Sequence, residues 1–323
     1  MTATVGAVAI GRNEGERLVR CLKSLREQVE HVVYVDSGST DGSVQAARDL
    51  GVEVVELDTS IPFTAARARN AGYAALKGAN ALEFVQFVDG DCGVEPDWIP
   101  SALAEFAAQD GLGIVTGWRS EIYPDASIYN ALVDFEWHRP AGEILACGGD
   151  MMVRSAVFDA VGGFNPSVIA AEDDEFCTRV RKAGHRVLRI GVAMTRHDAA
   201  MSTFSQWWQR AIRSGHGFAQ VGDLHPEYFR AEKRRVVLFG AVLPAIALSG
   251  VGLSALFPLA VLGLYALSYY RTVKGLTGEG LSQNMARHQG FYLSLSKFPN
   301  LIGMIRYYLR KSRGSAMRII EYK

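Results

Sequence analysis

The segment Phe84-Val-Gln-Phe-Val-Asp-Gly-Asp91 is an apolar run that ends in two carboxylates. A short apolar run without helical spacing is typical of a buried strand. Residues i and i+2 of an extended segment project to the same side, so Asp89 and Asp91 can converge on one point. Paired carboxylates beside a glycine suit a hard divalent cation, Mg²⁺ or Mn²⁺. The alternative is a surface turn in which both acids hydrogen-bond their own backbone.

Strands and helices alternate in the chain before this segment. Apolar runs predict strands at residues 5–10, 31–35 and 52–57, and helical spacing predicts helices at residues 18–25, 43–50 and 64–77. Gly51 and Gly78 are expected to end the second and third helices. The alternation predicts an α/β fold with a mostly parallel sheet and helices on both faces. Ligands of such sheets bind beyond the C-terminal strand ends. Polar clusters lie there, at residues 12–14, 36–41 and 89–91.

Composition favours a folded cytoplasmic protein and gives no support to nucleic acid as a partner. The 323 residues carry 34 acidic and 34 basic side chains, so no overall field attracts a polyanion. The four cysteines form no Cys-x-x-Cys pair, which predicts reduced thiols rather than a zinc site or disulfides. The N-terminus lacks the basic and long apolar segments of a signal peptide. We therefore expect the catalytic part in the cytoplasm.

The polar clusters favour a nucleotide that is not held by the common dinucleotide or phosphate loops. Asp36 follows the second strand, where a carboxylate can accept hydrogen bonds from a base or a ribose. Neither a Gly-x-Gly-x-x-Gly fingerprint nor a Gly-x-x-x-x-Gly-Lys-Ser/Thr loop follows the first strand. Arg67, Arg69 and Asn70 precede the fourth strand, where a guanidinium can neutralise a diphosphate. For Arg67, a solvated helix face is the favoured alternative.

A series of motifs in this order resembles family 2 of the glycosyltransferases. They are Val8-Ala-Ile-Gly-Arg-Asn-Glu-Gly15, Tyr34-Val-Asp-Ser-Gly-Ser-Thr-Asp-Gly-Ser43, Ala68-Arg-Asn-Ala-Gly72 and Val88-Asp-Gly-Asp91, continued by Gly148-Gly-Asp-Met-Met-Val-Arg154, Val161-Gly-Gly-Phe164 and Glu172-Asp173. The ordered set is far more specific than any single motif. The resemblance covers roughly residues 5–200. It implies a nucleotide-diphospho-sugar enzyme of the GT-A fold.

The resemblance also implies which residues form the donor side of the site. The residues at or near the nucleotide are Asn13, Glu14, Asp36, Arg69, Asn70 and Asp89. Asp89 and Asp91 form a metal-binding Asp-x-Asp motif for Mg²⁺ or Mn²⁺. His197 is a candidate third ligand, as in some metal-dependent relatives, although a histidine after a strand is more often structural.

On the acceptor side, the resemblance assigns Gly148 and Gly149 to the floor of the site, with Asp150 and Glu172 beside them, and Asp173 as catalytic base. A carboxylate within hydrogen-bond reach removes the proton of an acceptor hydroxyl as attack proceeds, and direct displacement inverts the anomeric carbon. The dipole of the following helix is expected to keep Asp173 ionised. Without the other motifs, a simple helix cap is the favoured interpretation of these acids.

One departure from the family pattern concerns processive relatives, which carry Gln-x-x-Arg-Trp after the base. Here the region is Gln206-Trp-Trp-Gln-Arg210, so single-sugar transfer is predicted rather than polymerisation. Trp207 and Trp208, with Arg210 nearby, either stack on an acceptor sugar or anchor the helix to the core or to a membrane interface.

The C-terminal region has the pattern of a membrane segment. Residues 236–270 carry no charge, which exceeds the ~20 residues that one spanning helix needs. Basic residues on both sides suit a hairpin with cytoplasmic ends that reverses at Gly250-Val-Gly252. A single tilted helix, a re-entrant hairpin and a buried core hairpin are the alternatives. Residues 301–309 then predict a basic amphipathic helix in the interface.

Together these patterns predict a catalytic domain at residues 1–230, with a nucleotide half at 1–115 and an acceptor half at 116–230. A membrane-associated helical region follows at 231–323. The predicted activity is metal-dependent, inverting transfer of one sugar from a nucleotide-diphospho-sugar to a glycan or lipid-linked acceptor at the cytoplasmic membrane face. A nucleotidyltransferase is the first alternative, although the glycine-rich loop typical of that class is missing after the first strand. An inactive membrane adaptor is the second, and the intact acids oppose it.

Overall fold

The computed structural model describes residues 3–79, 81–250, 252 and 254–321. The chain divides into two compact units, Met1–Ala200 and Met201–Lys323. This division falls earlier than residue 230, where the sequence pattern placed the end of the catalytic domain.

The first unit is built on a sheet to which the described residues contribute nine strands. They are β1 (Val5–Gly11), β2 (His31–Asp36), β3 (Glu53–Glu56), β4 (Phe84–Asp89), β5 (Cys92–Val94), β6 (Leu112–Glu121), β7 (Gly142–Glu143), β8 (Met151–Arg154) and β9 (Arg186–His197). Their order is β3-β2-β1-β4-β8-β6-β9-β5, and β7 pairs with β9. The first four strands are parallel, whereas β8 is antiparallel to both of its neighbours. The predicted α/β class is confirmed, with a parallel half and a mixed half.

The helices of this unit follow the strands closely along the chain. They are α1 (Glu16–Arg26), α2 (Ser43–Asp49), α3 (Ala65–Ala79), α4 (Trp98–Ala108), α5 (Ile128–Trp137), α6 (Ser155–Val161) and α7 (Glu172–Lys182), with a 3₁₀ turn at Pro124–Ala126. Gly51 follows α2 with φ 67°, as a helix-ending glycine should. Gly78 does not end α3, so that prediction was wrong. Glycine stops a helix by adopting positive φ, and Gly78 instead keeps a helical conformation.

Alternating side chains of the strands fill the two apolar layers around the sheet. On β1, Ala7 and Ala9 belong to the cluster that contains Trp98 of α4, while Val8 and Ile10 belong to the opposite cluster. The parallel register then places the polar strand ends side by side. Gly11 pairs with Asp36, and Ile10 pairs with Asp89 on the other side.

The second unit is helical in its described residues. Its helices are α8 (Phe204–Leu224), α9 (Arg230–Val237), a π-helical segment at Leu238–Val242, α10 (Leu243–Gly250), α11 (Leu256–Gly278), α12 (Gln283–Leu295) and α13 (Lys297–Ser312). Thr203 and Gln206 form a capping box that begins α8. Helices α8 and α13 cross so closely that a Cβ on Gly215 or Gly303 would overlap the backbone of the other helix.

The segment predicted as a membrane hairpin forms helices before and after the predicted turn. Helix α10 ends at Gly250 and α11 begins at Leu256. Val251, in the predicted turn, lies outside the described residues. Within the described part of the chain, only α11 is long and apolar enough to cross a bilayer, with a mean hydropathy of 1.2 and 6% of its apolar stretch buried.

Candidate active site

The loops after β1 and β2 are tied together at the edge of the parallel half. Asn13 adopts φ 58°, a left-handed conformation that asparagine tolerates better than most residues. Its side-chain oxygen accepts a hydrogen bond from the amide of Thr40 at 2.7 Å, and its own amide donates to the Ser39 hydroxyl at 2.9 Å. These two bonds hold both predicted nucleotide loops in one arrangement.

The carboxylate of Asp36 organises the loop that follows β2. One oxygen accepts from the Tyr34 hydroxyl at 2.8 Å, and the other accepts from the amides of Gly38 and Ser39 at 2.9 and 2.8 Å. Asp36 is only 2% exposed. It therefore shapes the loop, and its contact with a base or ribose stays a prediction.

Glu14 lies beside the Asp-Gly-Asp turn after β4. It pairs with Arg17 at 2.8 Å, and a Cβ on Gly90 would lie 3.5 Å from the Glu14 side chain. The polar loop after β1 therefore contacts the turn that carries Asp89 and Asp91.

Asp89 is held by two arginines from different elements. Its oxygens lie 2.8 Å from the guanidinium of Arg69 and 3.4 Å from that of Arg119. Burial by itself would raise the pKa of Asp89, but these two guanidinium groups lower it below its ordinary value. Asp89 is therefore an ionised carboxylate whose direct contacts are with arginine.

Arg69 joins Asp89 to the beginning of α7. Its other guanidinium nitrogen lies 2.8 Å from Glu172, and the side chain is 2% exposed. A Cβ on Gly149 would overlap this guanidinium, so residue 149 needs to be glycine for the bridge to form. The sequence assigned Arg69 to the nucleotide. The structure engages its positive charge with two carboxylates that flank the site.

Asn70 and Gly148 lie around this bridge. The side-chain amide of Asn70 donates to the carbonyl of Phe164 at 2.7 Å and accepts from the amide of Phe164 at 2.9 Å. Asn70 thus fixes the glycine loop before Phe164. A Cβ on Gly148 would lie 3.9 Å from the Arg119 guanidinium.

Asp150 lies beneath the strand ends with 1% of its surface exposed. It accepts hydrogen bonds from the Asp89 amide at 2.9 Å and from the Thr195 hydroxyl at 2.7 Å, and it pairs with Arg119 at 2.8 Å. Asp150 therefore orients Arg119 toward Asp89. Asp150 was predicted to bind the acceptor, but its side chain does not lie at the surface, and this contact stays a prediction.

Asp91 and His197 form the place best suited to a metal ion among the described residues. The carboxylate oxygen of Asp91 lies 3.2 Å from Nε2 of His197, and both side chains are largely buried. Together with the Cys92 sulfur, their possible ligand atoms lie within 4.8 Å of one another. Burial, and next the charge of Asp150, raise the pKa of the Cys92 thiol, so it stays protonated and is a poor ligand. One carboxylate and one imidazole fit Mn²⁺ better than Mg²⁺, which prefers oxygen.

Sequence reasoning missed Arg119 and Glu121, at the end of β6. Glu121 lies 3.5 Å from Nδ1 of His197, and Arg119 lies above the Trp137 ring at 5.2 Å. The rule that identified Asp89 and Asp91 applies here as well, since the two residues are two apart at the end of an apolar run. Their partners depend on the pairing of β6 with β9, which no local pattern shows.

Asp173 lies in the first turn of α7, just after Ala171, which adopts φ 58°. We expected the helix dipole to control its ionisation. Instead burial, followed by the nearby carboxylates Glu172 and Asp174, raises the pKa of Asp173 well above its ordinary value, against an opposing effect of Arg69. The higher pKa makes Asp173 a stronger base than an ordinary carboxylate.

The remaining predicted acceptor residues belong to the second unit. Trp207 is buried and lies edge-on to Tyr292 at 4.9 Å, with Phe204 at 5.5 Å. Trp208 and Arg210 follow on the same helix. Trp207 is thus a packing residue of its own unit, and a sugar contact for the three stays a prediction.

Comparisons with known proteins agree with this architecture. Residues 8–149 match the family described as glycosyl transferase family 2. The pre-mycofactocin glycosyltransferase of Mycobacterium tuberculosis H37Rv is 27% identical over 252 residues, which cover 73% of this chain and 50% of that relative. The chain therefore matches about half the length of the relative.

Two solved structures share the fold. The mannosyltransferase PcManGT from Pyrobaculum calidifontis, in complex with GDP-Man and Mn²⁺, aligns with a TM-score of 0.64 and 19% identity over 96% of this chain and 89% of that one. Glucosyl-3-phosphoglycerate synthase from M. tuberculosis, in complex with Mn²⁺, UDP and glucosyl-3-phosphoglycerate, aligns with a TM-score of 0.51 and 15% identity over 69% and 80%. The GT-A-type fold is confirmed. The segment that runs from β1 to Gly149 is therefore similar to family 2 of the glycosyltransferases.

Proposed function

We propose that this chain transfers one sugar from a nucleotide-diphospho-sugar to an acceptor hydroxyl, with inversion at the anomeric carbon and with a bound divalent cation. The observation that carries the proposal is the Arg69 bridge. It joins Asp89, beside the candidate metal ligand Asp91, to Glu172, beside the candidate base Asp173. The bridge supports a donor-side carboxylate and a base that act at the same edge of the sheet. The match of residues 8–149 to glycosyl transferase family 2 supports a sugar donor.

Asp91 and His197 would hold the cation, and Mn²⁺ is the ion that their donor set favours. When bound, the cation neutralises the diphosphate and stabilises the negative charge that grows on the leaving group. Asp89 keeps its charge through Arg69 and Arg119 and so holds both guanidinium groups at the donor side. The loop around Asp36 then accepts the nucleoside in a shape set by its own hydrogen bonds.

Asp173 would act on the acceptor side. Its raised pKa fits a group that must take a proton from a hydroxyl during attack. Its neighbour Glu172 pairs with the Arg69 guanidinium at 2.8 Å. Among the described residues, Asp173 has no guanidinium partner at that distance. The Asp173 carboxylate is the one suited to receive the proton.

Incubation of the full chain with a panel of nucleotide sugars and acceptors, with and without Mn²⁺, tests this function. We expect release of nucleoside diphosphate, dependence on the cation and a product of opposite anomeric configuration by NMR. Release of pyrophosphate would identify a nucleotidyltransferase instead. Failure of every donor to stabilise the fold or to turn over would favour the inactive adaptor.

We also propose that the second unit holds the enzyme at the cytoplasmic face of the membrane, where a lipid-linked or glycan acceptor lies. Helix α11 carries a row of large exposed apolar side chains: Leu256, Phe257, Leu259, Leu262, Leu264, Leu267 and Tyr270. Helix α13 packs on α8 through one face, yet its other face exposes Ile302, Ile305 and Leu309. Exposed arginines accompany this second face: Arg306 and Arg313. Apolar and basic side chains together suit an anionic lipid surface.

Flotation of the full chain with phosphatidylglycerol-containing vesicles tests the membrane proposal. The variant with Ile302→Glu and Ile305→Glu should lose much of the binding, because each exposed apolar side chain would be replaced by a charge. Leu145→Glu, at a leucine of the first unit that is more exposed than either isoleucine, is the control and should bind as before. Equal binding by the double variant would contradict the role of α13. Self-association without vesicles would instead identify a second copy as the occupant.

A further inference from the structure

We propose that Glu121 is a positioning residue for His197, holding the imidazole so that Nε2 faces Asp91 and the cation. The inference rests on the metal-dependent function proposed above and adds to it a residue that neither the motifs nor the comparisons assign.

Strand pairing places the two residues together. Glu121 is the last residue of β6 and His197 the last of β9, and the two are direct partners in the parallel register. Partners on neighbouring strands project from the same face of the sheet. The Glu121 side chain is fully buried, where an ionised carboxylate is costly unless charges and hydrogen bonds compensate it.

The Glu121 carboxylate is itself held by several segments of the first unit. One oxygen accepts from the Ala199 amide at 2.9 Å and lies 3.5 Å from Nδ1 of His197. The other accepts from the Tyr123 amide at 3.1 Å and from the Asn130 side chain at 3.4 Å. The carboxylate is therefore an acceptor fixed in one orientation.

A fixed acceptor behind the ring selects the useful tautomer of His197. An imidazole with its proton on Nδ1 can donate toward Glu121, and its lone pair is then on Nε2, which lies 3.2 Å from the Asp91 oxygen. The other tautomer would turn an N–H toward the cation and could not bind it. A carboxylate behind a ligating histidine is a common device for fixing ring orientation and raising ligand basicity.

The surroundings of the ring restrict its rotation as well. The Trp137 ring meets His197 edge-on at 4.6 Å between centroids. Trp137 is in turn covered by the Arg119 guanidinium, which pairs with Asp150 beneath the strand ends. The imidazole is thereby confined on one side by an aromatic ring and on another by the carboxylate of Glu121.

Glu121→Gln separates positioning from simple packing. Glutamine keeps the size of the side chain and one carbonyl oxygen, which can accept from either the Ala199 or the Tyr123 amide, but it removes the charge and one acceptor. A role in packing alone would survive this change. Selection of the His197 tautomer would not.

The experiment measures Mn²⁺ affinity of the full chain without donor, by EPR of free Mn²⁺ during titration. We expect Glu121→Gln to weaken binding roughly 10- to 100-fold, as is usual when the residue behind a ligand is changed. In a His197→Ala background the same substitution should have no further effect. Glu175→Gln is the matched control, because Glu175 is also a buried glutamate but is paired with Arg179 on α7. It should leave Mn²⁺ affinity unchanged.

A second measurement needs no variant. Nitrogen-15 NMR of the wild-type chain with diamagnetic Cd²⁺ in place of Mn²⁺ should show His197 with its proton on Nδ1. A proton on Nε2, or a folded Glu121→Gln chain with wild-type Mn²⁺ affinity, would overturn the inference while leaving the metal site intact. A wild-type chain that binds no Mn²⁺ would overturn the metal site, and the inference with it.

Discussion

Two buried histidines in this molecule lie in opposite electrical surroundings. His197, at the end of β9, has carboxylates at 3.2 and 3.5 Å on its two ring nitrogens. His216, within α8, contacts the Tyr307 ring of α13 at 5.3 Å, and among the described residues neither of its ring nitrogens has a hydrogen-bond partner. Both side chains are nearly inaccessible to solvent.

The difference shows that burial alone does not define a functional histidine. Burial first, and then the charges of Arg310 and Arg213, lower the pKa of His216 to about 4. That ring is therefore neutral and acts as an apolar packing group between two helices. At His197 the neighbouring acids supply negative charge, which suits the cation proposed to bind there. The acids at the strand ends thus line the candidate active site, whereas His216 lies where α8 and α13 pack together.

The largest effect should come from Asp173, the residue proposed as the base. Asp173→Asn removes the proton acceptor, and turnover should fall about 10²- to 10⁴-fold. Donor binding should persist, since neither Asp91 nor His197 changes. Single-turnover assays with donor affinity measured in parallel would check this.

Asp174→Asn, one residue later on α7, should keep turnover within a few-fold of wild type, but it should shift the loss of kcat/KM to lower pH, because the Asp174 charge helps to raise the pKa of Asp173. The pH profile gives an independent reading of Asp173. Because the pKa of Asp173 is raised, kcat/KM should be lost as pH falls through a value above the ordinary carboxyl pKa of about 4. Full turnover by Asp173→Asn would mean that the chemistry lies elsewhere.

The second largest effect should come from Arg69→Met. Loss of this guanidinium leaves Asp89 and Glu172 without the positive charge that both contact at 2.8 Å. Breaking such a buried pair typically costs about 3–5 kcal/mol in the free energy of unfolding. Chemical denaturation would measure the loss.

Arg67→Met, on the same helix, provides the comparison. The Arg67 guanidinium donates only to the backbone carbonyls of Ile61 and Asp58 among the contacts described here. Its replacement should cost well under half as much. Equal costs at the two positions would show that the strand-end charges do not depend on Arg69.

A smaller, pH-dependent effect should distinguish the second histidine. His216 has a pKa of about 4 in the folded chain and near 6.5 in the unfolded chain. Between these pH values the unfolded chain binds a proton at His216 and the folded chain does not. Stability of the second unit should therefore fall as pH drops from above 6.5 toward 4, by about 3 kcal/mol in all. Guanidinium denaturation at pH 7.5 and pH 5, followed by circular dichroism, would check it.

His216→Phe should flatten this dependence, because phenylalanine has no proton to bind. His288→Phe, at an exposed histidine of α12, should leave the dependence unchanged. A wild-type chain whose stability is flat over this range would show that His216 is protonated without cost and is not a packing group.

The parallel half of the sheet was predictable because its signals are local. Each strand is a short apolar run that ends in polar residues, and β1, β2 and β4 begin within a residue of the predicted limits. Asp89 and Asp91 followed from the two-residue period of a strand. The local pattern predicted that Arg69 lies near the nucleotide, and it did not show that Arg69 pairs with two carboxylates. That arrangement depends on Glu172, which is distant in the sequence.

The mixed half was less predictable for the same physical reason. Strand β6 contains Gly113 and Gly117, and its register with β9 shifts at irregularities, so the apolar pattern is interrupted. The spacing of Arg119 and Glu121 could have shown that the two side chains project to the same side of β6. Their partners Asp150 and His197 lie far along the chain and meet them only after β6, β8 and β9 assemble. The raised pKa of Asp173 likewise depends on burial, which opposes the local helix dipole.

The smallest effect should come from the nucleotide loop, where hydrogen bonds rather than ion pairs hold the acid. Tyr34→Phe removes one of the donors to Asp36 but leaves the two backbone amides. Because the buried Asp36 carboxylate keeps two of its three donors, the free energy of unfolding should fall by only about 1–2 kcal/mol. Tyr73→Phe is the matched variant, because the Tyr73 hydroxyl donates to a neutral backbone carbonyl at 3.3 Å and its loss should cost less.

If the loop presents the nucleoside pocket, Tyr34→Phe should also weaken donor binding while leaving Mn²⁺ affinity unchanged, and Tyr73→Phe should alter neither. A drop in Mn²⁺ affinity with Tyr34→Phe would instead show that the two strand ends act as one charged unit, and the separation between loop and metal region would not hold.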